Sequence, residues 1–225
     1  IYGNTKNSVI ALGANEQQFS FYGAVLRGLS GMGMTLLIGA NHVIRVAAFK
    51  EVGHYTAHIT EDLITGMKLH AHGWKSVYVP YPLAIGEGPA SWESYFNQQL
   101  RWAYGCIDIL FRHSLKYFRR MNLRQTLYYF FLQQHYFSGI VMALSILLLS
   151  LYFIFGVRAA DVDIFTFLIF YSFIILACWL LSVWFQRYDI HQKLGGDLLL
   201  AGKIISISAW PIWFIAFINV LTGKR

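Results

Sequence analysis

The chain has 225 residues, of which 56% are hydrophobic and 13% charged, and its formal net charge is +7. Soluble globular domains carry about a quarter charged residues, so part of this chain belongs in an apolar medium. The positive excess is local, because Arg112, Lys116, Arg119, Arg120 and Arg124 stand together with no acid among them, just ahead of a long apolar stretch. That is the pattern of a cytoplasmic juxtamembrane segment facing anionic lipid, and it excludes nucleic acid as the partner.

Taken in order, residues 1–126 carry 12 Lys/Arg and 7 Asp/Glu, whereas residues 127–225 carry 6 and 4. A mixed globular segment therefore precedes an apolar one. Ile1 is not an initiator methionine and no signal peptide is visible, so the expectation is an internal piece of a longer protein. Phe19–Leu29 reads as a helix, with Phe19, Tyr22, Val25, Leu26 and Leu29 near a 3.6-residue period, broken by Gly28, Gly31 and Gly33. Thr35–Ile38 and His42–Val46 read as short strands around Gly39-Ala40-Asn41, and Ala47–Val52 as a short helix stopped by Gly53.

Thr60 suits the N-cap of the next helix, with Glu61 and Asp62 in its first turn, where the helix dipole favours negative charge. Gly73 stops that helix, and Ser76–Val79 reads as a buried strand ended by Pro80 and Pro82. After Pro89, Ser91 or Ser94 caps a helix through Trp102. The alternation of strand and helix predicts an α/β domain, with too few strands for a complete one.

No Asp, Glu, Lys or Arg occurs from Gln125 to Val157. The predicted spanning core is 137–155, long enough for a hydrocarbon layer about 30 Å thick, and 164–185 is a second span. A third apolar stretch, Leu198–Leu221, contains Lys203 and Pro211 and is framed by Arg187, Lys193, Lys224 and Arg225. Crossing the bilayer would put basic residues on both sides, so an interfacial position is favoured, a level that suits Trp210 and Trp213. The predicted organisation is a globular part over 1–110, basic interfacial helices over 111–135 and a membrane region over 136–225.

Several residues suggest chemistry. A carboxylate at a loop–helix junction, such as Asp62, can reach into a cleft as a general base; alternatively it only stabilises the helix start. Gln98, Arg101 and Trp102 lie at i, i+3 and i+4, hence on one helix face. Together they offer an amide for a sugar hydroxyl or a neighbouring loop, a guanidinium for phosphate oxygens, and an indole for stacking on a sugar ring. The plainer reading of the same residues is an amphipathic interface helix with a snorkelling Arg and a headgroup Trp. Cys106 and Cys178 are too few for a disulfide framework or zinc site, and Cys178 reads as a small core residue. His70 and His72 diverge on a helix, and His42, His54 and His58 lack a paired spacing, so no histidine metal site is expected.

The order of these elements carries a resemblance. Thr60-Glu61-Asp62, a strand, a Pro-containing loop, Gln98-Gln99-Leu100-Arg101-Trp102, basic residues and membrane spans together resemble the C-terminal part of a processive family 2 glycosyltransferase. That group includes the cellulose, chitin and hyaluronan synthases. Ile38-Gly39-Ala40-Asn41-His42-Val43-Ile44-Arg45 is similar to the group's glycine-containing acceptor segment, and Phe49–Gly53, Leu69–Pro80 and Trp102–Leu110 also read like it.

The resemblance implies an α/β fold, a partial GT-A-type domain followed by an α-helical membrane region. It implies an inverting transferase that moves sugar from a nucleotide sugar, a UDP-sugar first, to a β-linked polysaccharide passed across the membrane. Asp62 would be the catalytic base, Trp102 would hold the acceptor end, and Arg101 with Gln98 would face the diphosphate. Glu61, Gly39 and Asn41 would line the substrate site. The protein would be integral to a plasma or inner membrane, with its catalytic part cytoplasmic.

Three departures stand out. Ala40 replaces a common Ser or Thr, His54 stands where Gly is frequent, and no Asp-x-Asp precedes Thr60, where the earlier acids are Glu16 and Glu51. The Mg2+ or Mn2+ that the resemblance implies would thus have its ligands outside this chain. Asp161-Val162-Asp163 reads as a solvated loop between spans. The chain stops at Thr222-Gly223-Lys224-Arg225, about where the group's cytoplasmic gating segment would begin. The competing readings are a non-processive transfer to lipid and a membrane protein that has lost catalysis, serving as a subunit or a transporter.

Overall fold

The computed structural model describes residues 2–39, 41–157, 162–186 and 199–224. Expectations that fall on Ala40, Arg158, Asp161, Arg187, Lys193 and Arg225 lie outside the described residues. Among the described residues the regular elements are helices, joined by non-helical segments such as 32–45 and 72–91. Ser8 caps α1 (Val9–Ser20) by accepting the Ala11 amide, and the helix continues through a wider turn at Phe21–Val25 into α2 (Leu26–Gly31). The helix expected over Phe19–Leu29 is thus the second half of a longer one. α3 (Val46–Glu51) ends ahead of Gly53, whose φ is +75°.

α4 (Glu61–Ala71) starts at Thr60 and ends ahead of Gly73, in the left-handed region at φ +84°. Thr60 occupies the N-cap position without capping: its hydroxyl is turned to His58 Nδ1 at 3.1 Å. α5 (Trp92–Arg112) opens with a reciprocal capping box between Ser91 and Ser94, and runs ten residues beyond Trp102. α6 (Ser114–Phe118) and α7 (Leu123–Gln134) follow and carry Lys116 and Arg124 of the basic segment, and Asn122 caps α7.

α8 (Ser138–Phe155) and α9 (Ile164–Gln186) match the two predicted spans. Their side chains are almost wholly exposed, as expected of lipid-facing helices, and Cys178 is exposed on α9 rather than in a core. Asp163 accepts the amides of Phe165 and Thr166 and so caps α9. The third stretch is two helices, α10 (Leu200–Ser208) and α11 (Trp210–Thr222), broken at Ala209 with Pro211 in the first turn of α11. By length and composition the stretch 200–222 could also cross a membrane.

The expected strands are not formed. Among the described residues the only β pairing is two isolated parallel bridges, Met34 with Ser76 and Tyr2 with Gly86. A strand needs a partner along its length, and these segments have none beyond one residue pair. Val43, Val77 and Val79 are correspondingly exposed, so Ser76–Val79 is not a buried strand.

α5 is the centre of the fold. One core joins its Cys106 and Ile109 to Leu63, Ile64 and Met67 of α4, Leu26 and Leu29 of α2, and Tyr129 of α7. A second joins its Tyr95, Ala103 and Ile107 to Ala14 of α1 and to Ile205, Trp213, Ala216 and Val220 of α10 and α11.

Candidate active site

α5 and the start of α4 approach each other more closely than side chains normally allow. Gly105 makes this possible: a Cβ there would run into the Thr60 side chain and Ile59. The turn Thr60-Glu61-Asp62 therefore sits directly on the backbone of α5. Gln98, Arg101 and Trp102 lie seven, four and three residues before Gly105, on the stripe of α5 that the Thr60 contact marks. Trp102 is thus only about 5 Å along the helix axis from the contact, and Gln98 about 10 Å. Further along α5, Cys106 and Ile109 share a core with Leu63, Ile64 and Met67 of α4, whereas Arg101 is exposed and Gln98 and Trp102 are half-buried.

Asp62 is half-buried and held by two backbone amides. Its Oδ2 accepts from Gly39 at 2.8 Å and its Oδ1 from Leu63 at 2.7 Å. Gly39 reaches this position at φ +43°, in the left-handed region, where a side chain would be strained. The Asn41 amide closes the same loop on the Ile38 carbonyl at 3.1 Å. Each carboxylate oxygen keeps a further lone pair for a substrate hydroxyl.

The field of Asp62 reaches its neighbours. Burial, then the Asp62 charge, pushes the Cys106 thiol up to about 12. Burial, followed by Tyr2, Tyr78 and Asp62, pushes Tyr22 up to about 12. Both groups are fixed in their protonated forms and are excluded as competing bases.

The remaining predicted residues are placed as follows. Glu61 is exposed in the first turn of α4 and Asn41 is exposed in the loop beside Gly39. Arg101 is exposed, and among the described residues no carboxylate pairs with it. Trp102 is half-buried. Gln98 points its amide nitrogen at the Tyr2 hydroxyl, 3.5 Å away, while its amide oxygen has no protein partner.

Two residues escaped the sequence reasoning. Gln99, buried, accepts the indole N–H of Trp213 at 3.1 Å and pins α5 to α11. His58 bonds Asp108 through Nε2 at 3.1 Å, and Arg112 pairs with the other oxygen of Asp108 at 3.0 Å. No spacing rule predicts either contact, because their partners lie 114 and 50 residues away.

His58, Asp108 and His113 bring three potential ligand atoms within 4.8 Å, a grouping the histidine spacing does not reveal. The donor set does not suit Mg2+ or Mn2+. The Thr60 amide donates to His58 Nδ1 at 3.2 Å, so that nitrogen carries the lone pair and Nε2 carries the hydrogen that faces Asp108. A metal on Nε2 would force a proton onto Nδ1, against the Thr60 N–H, and would have to displace the Arg112 guanidinium from Asp108. Mg2+ and Mn2+ prefer oxygen ligands in any case.

These features coincide with an independent likeness. Residues 17–185 match the model of glycosyl transferase family group 2, and the chain belongs to that family. It is similar to the Arabidopsis thaliana cellulose synthase A catalytic subunit 1 [UDP-forming], with 43% identity over 84 residues, 34% of this chain and 8% of that protein. It is also similar to a UDP-forming cellulose synthase of Dictyostelium discoideum, through that enzyme's catalytic polypeptide, 32% identical over 115 residues, 50% of this chain and 11% of the relative. A third, the Arabidopsis thaliana cellulose synthase A catalytic subunit 6 [UDP-forming], is 45% identical over 67 residues, 28% of this chain and 6% of the relative. The alignments thus span about a tenth or less of these relatives' length.

Proposed function

We propose that this chain is the acceptor-side half of a membrane-bound inverting transferase that extends a β-linked glucan from a UDP-sugar. The observation that supports the reading is the docking of Thr60 on Gly105 of the helix that carries Gln98, Arg101 and Trp102, with Asp62, held by the Gly39 amide, two residues further on. In the proposed reaction Asp62 takes the proton of the acceptor hydroxyl. That oxygen displaces the nucleotide diphosphate in one step, so the configuration at the sugar carbon inverts. Trp102 stacks under the terminal sugar of the acceptor. Arg101 offsets charge on the departing diphosphate, and Gln98, held by Tyr2, borders the same cleft. Glu61, Gly39 and Asn41 line the substrate side of the Asp62 loop. The described residues assign no ligand to Mg2+ or Mn2+; such an ion would be held by carboxylates elsewhere in the longer protein. The sheet of a GT-A-type domain would likewise be completed by strands outside this chain.

The three-part organisation, 1–110, 111–135 and 136–225, is part of the same proposal. α8 and α9 cross the bilayer and the catalytic part faces the cytoplasm, where the basic segment meets anionic lipid. α10 and α11 lie at the interface. Trp213 meets Gln99, Phe217 meets Phe111, and the Val220 carbonyl meets Arg112, so α11 runs alongside α5 in the same direction. α5 carries exposed Glu93 and Arg101 and a half-exposed Arg112, which hold it, and therefore α11, out of the hydrocarbon. Export of the product along the membrane helices completes the proposal.

UDP release by the full-length protein in lipid nanodiscs, with a panel of UDP-sugars and Mg2+ or Mn2+, tests the reading. Asp62→Asn, which keeps the size and removes the base, should lower kcat by about 100-fold or more at unchanged fold. Undiminished turnover in that variant would remove Asp62 from the role. Product sizing then separates a polysaccharide from a single addition to lipid.

A further inference from the structure

The close approach at Gly105 places the Asp62 turn on α5 but does not fix it there. A polar chain does. His58 lies two residues ahead of Thr60 and accepts the Thr60 amide at 3.2 Å and hydroxyl at 3.1 Å on Nδ1. This leaves the Nε2 hydrogen for Asp108 Oδ2 at 3.1 Å. Asp108 is 6% exposed and belongs to α5, two turns beyond Trp102. Its second oxygen lies 3.0 Å from Arg112 Nε, an ion pair without hydrogen-bond alignment, and Arg112 Nη2 donates to the Val220 carbonyl in the last turn of α11 at 3.3 Å. A buried carboxylate on the acceptor helix is thereby joined to the backbone of the residue that opens α4, two positions before Asp62. A hydrogen bond to a buried carboxylate is directional and costly to break, which suits it to fixing one arrangement of two elements.

We infer that His58 and Asp108 are positioning residues: the His58–Asp108 pair, braced by Arg112, sets the distance and angle of the Asp62 carboxylate relative to the acceptor held on Trp102. The inference rests on the reading of Asp62 as the base. Neither residue touches substrate. Their work is to hold two elements whose relative shift of about 1 Å would lower the rate on the order of a hundredfold. Substrate capture by Arg101 and Trp102 does not pass through this pair, so binding should survive its loss.

The test uses the full-length protein in nanodiscs, with UDP release as the assay. His58→Ala should lower kcat about 10- to 100-fold while KM for the UDP-sugar stays within about twofold. His58→Gln, whose amide nitrogen reaches as far as Nε2, should recover most of the lost kcat. Asp108→Ala should lower kcat as His58→Ala does, and the double variant should be no worse than either single one, since each breaks the same link. If His58→Ala does not fold, His58→Gln and Asp108→Asn carry the test, the first near the wild-type rate and the second well below it at wild-type KM.

The inference is overturned by a kcat within twofold of wild type in His58→Ala or Asp108→Asn, or by multiplying losses in the double variant. A His58→Gln variant as slow as the alanine also overturns it. So does stoichiometric Zn2+ binding that Asp108→Asn abolishes, which would make the cluster a metal site. Asp62→Asn is run in parallel. If it retains full turnover, the reading of the base fails; if it is dead while His58→Ala is unimpaired, only the positioning role fails.

Discussion

His70 makes the stability of this domain sensitive to acid. It lies on α4, 3% exposed, between Tyr129 of the membrane-proximal helix α7 and Ser76 of the loop that follows α4. The Ser76 hydroxyl spends its hydrogen on the Thr35 carbonyl, so it accepts from His70 Nε2 at 2.9 Å. Nδ1 then accepts from the Tyr129 hydroxyl at 2.6 Å. Both ring nitrogens are satisfied in the neutral form, and among the described residues no carboxylate pairs with the ring. Burial accordingly holds His70 down at about 4, from an ordinary 6.5.

The unfolded chain therefore binds a proton that the folded one refuses, and stability falls as pH drops from the unfolded value towards the folded one. Between pH 7 and pH 5 the loss is about 2 kcal/mol, and by pH 4 about 3 kcal/mol. Urea unfolding of the reconstituted protein, followed by tryptophan fluorescence, measures it, with His70→Gln as comparator. The glutamine is less stable at pH 7 because the fork to Tyr129 and Ser76 is imperfectly replaced. It titrates nothing, so the gap between variant and wild type should shrink by about 2 kcal/mol at pH 5. A gap that stays constant over this range would refute the assignment of a neutral, buried His70.

Two further outcomes follow from close contacts. Gly105→Ala places a methyl group into Thr60 and Ile59, and should cost about 1–3 kcal/mol in thermal unfolding while lowering kcat for UDP release through the displaced Asp62 turn. Gln99→Leu leaves the Trp213 indole N–H without its acceptor in a buried setting and should cost about 1–3 kcal/mol in the same melt.

What could be read from the sequence was local. The stops at Gly53 and Gly73, the start at Thr60, the serines ahead of α5 and the long apolar helices α8 and α9 depend on chain-neighbour chemistry and appear where expected. α1 escaped, because Ala11, Gly13 and Ala14 give no strong apolar period; their small size matters only against α10, where Gly13 meets the Ala201 carbonyl. The strands over Thr35–Ile38 and Ser76–Val79 have the right residues, but a strand is a property of a pair, and the pairing stops at Met34 with Ser76. In the candidate site, Asp62 and the Gln98–Trp102 stripe were legible as separate pieces. Their juxtaposition was not, since it depends on the missing side chain of Gly105 and on a bond between His58 and Asp108 across 50 residues.

One helix unites these observations. The row Gln99, Ala103 and Ile107 turns to α11, and Cys106 and Ile109 turn to α4 and α7. The stripe through Gln98, Arg101 and Trp102 is the one proposed to face a ligand. A 21-residue helix with two of its faces packed has little freedom to rotate, so the ligand stripe is aimed by packing on the other faces. The face against α11 also ties the candidate site to the helices that meet the membrane, through Trp213 at one end and Arg112 at the other. Substitutions along that far face, remote from Asp62, should therefore register in kcat as well as in stability, because shifting α5 by a fraction of a turn moves Trp102 and Gly105 together.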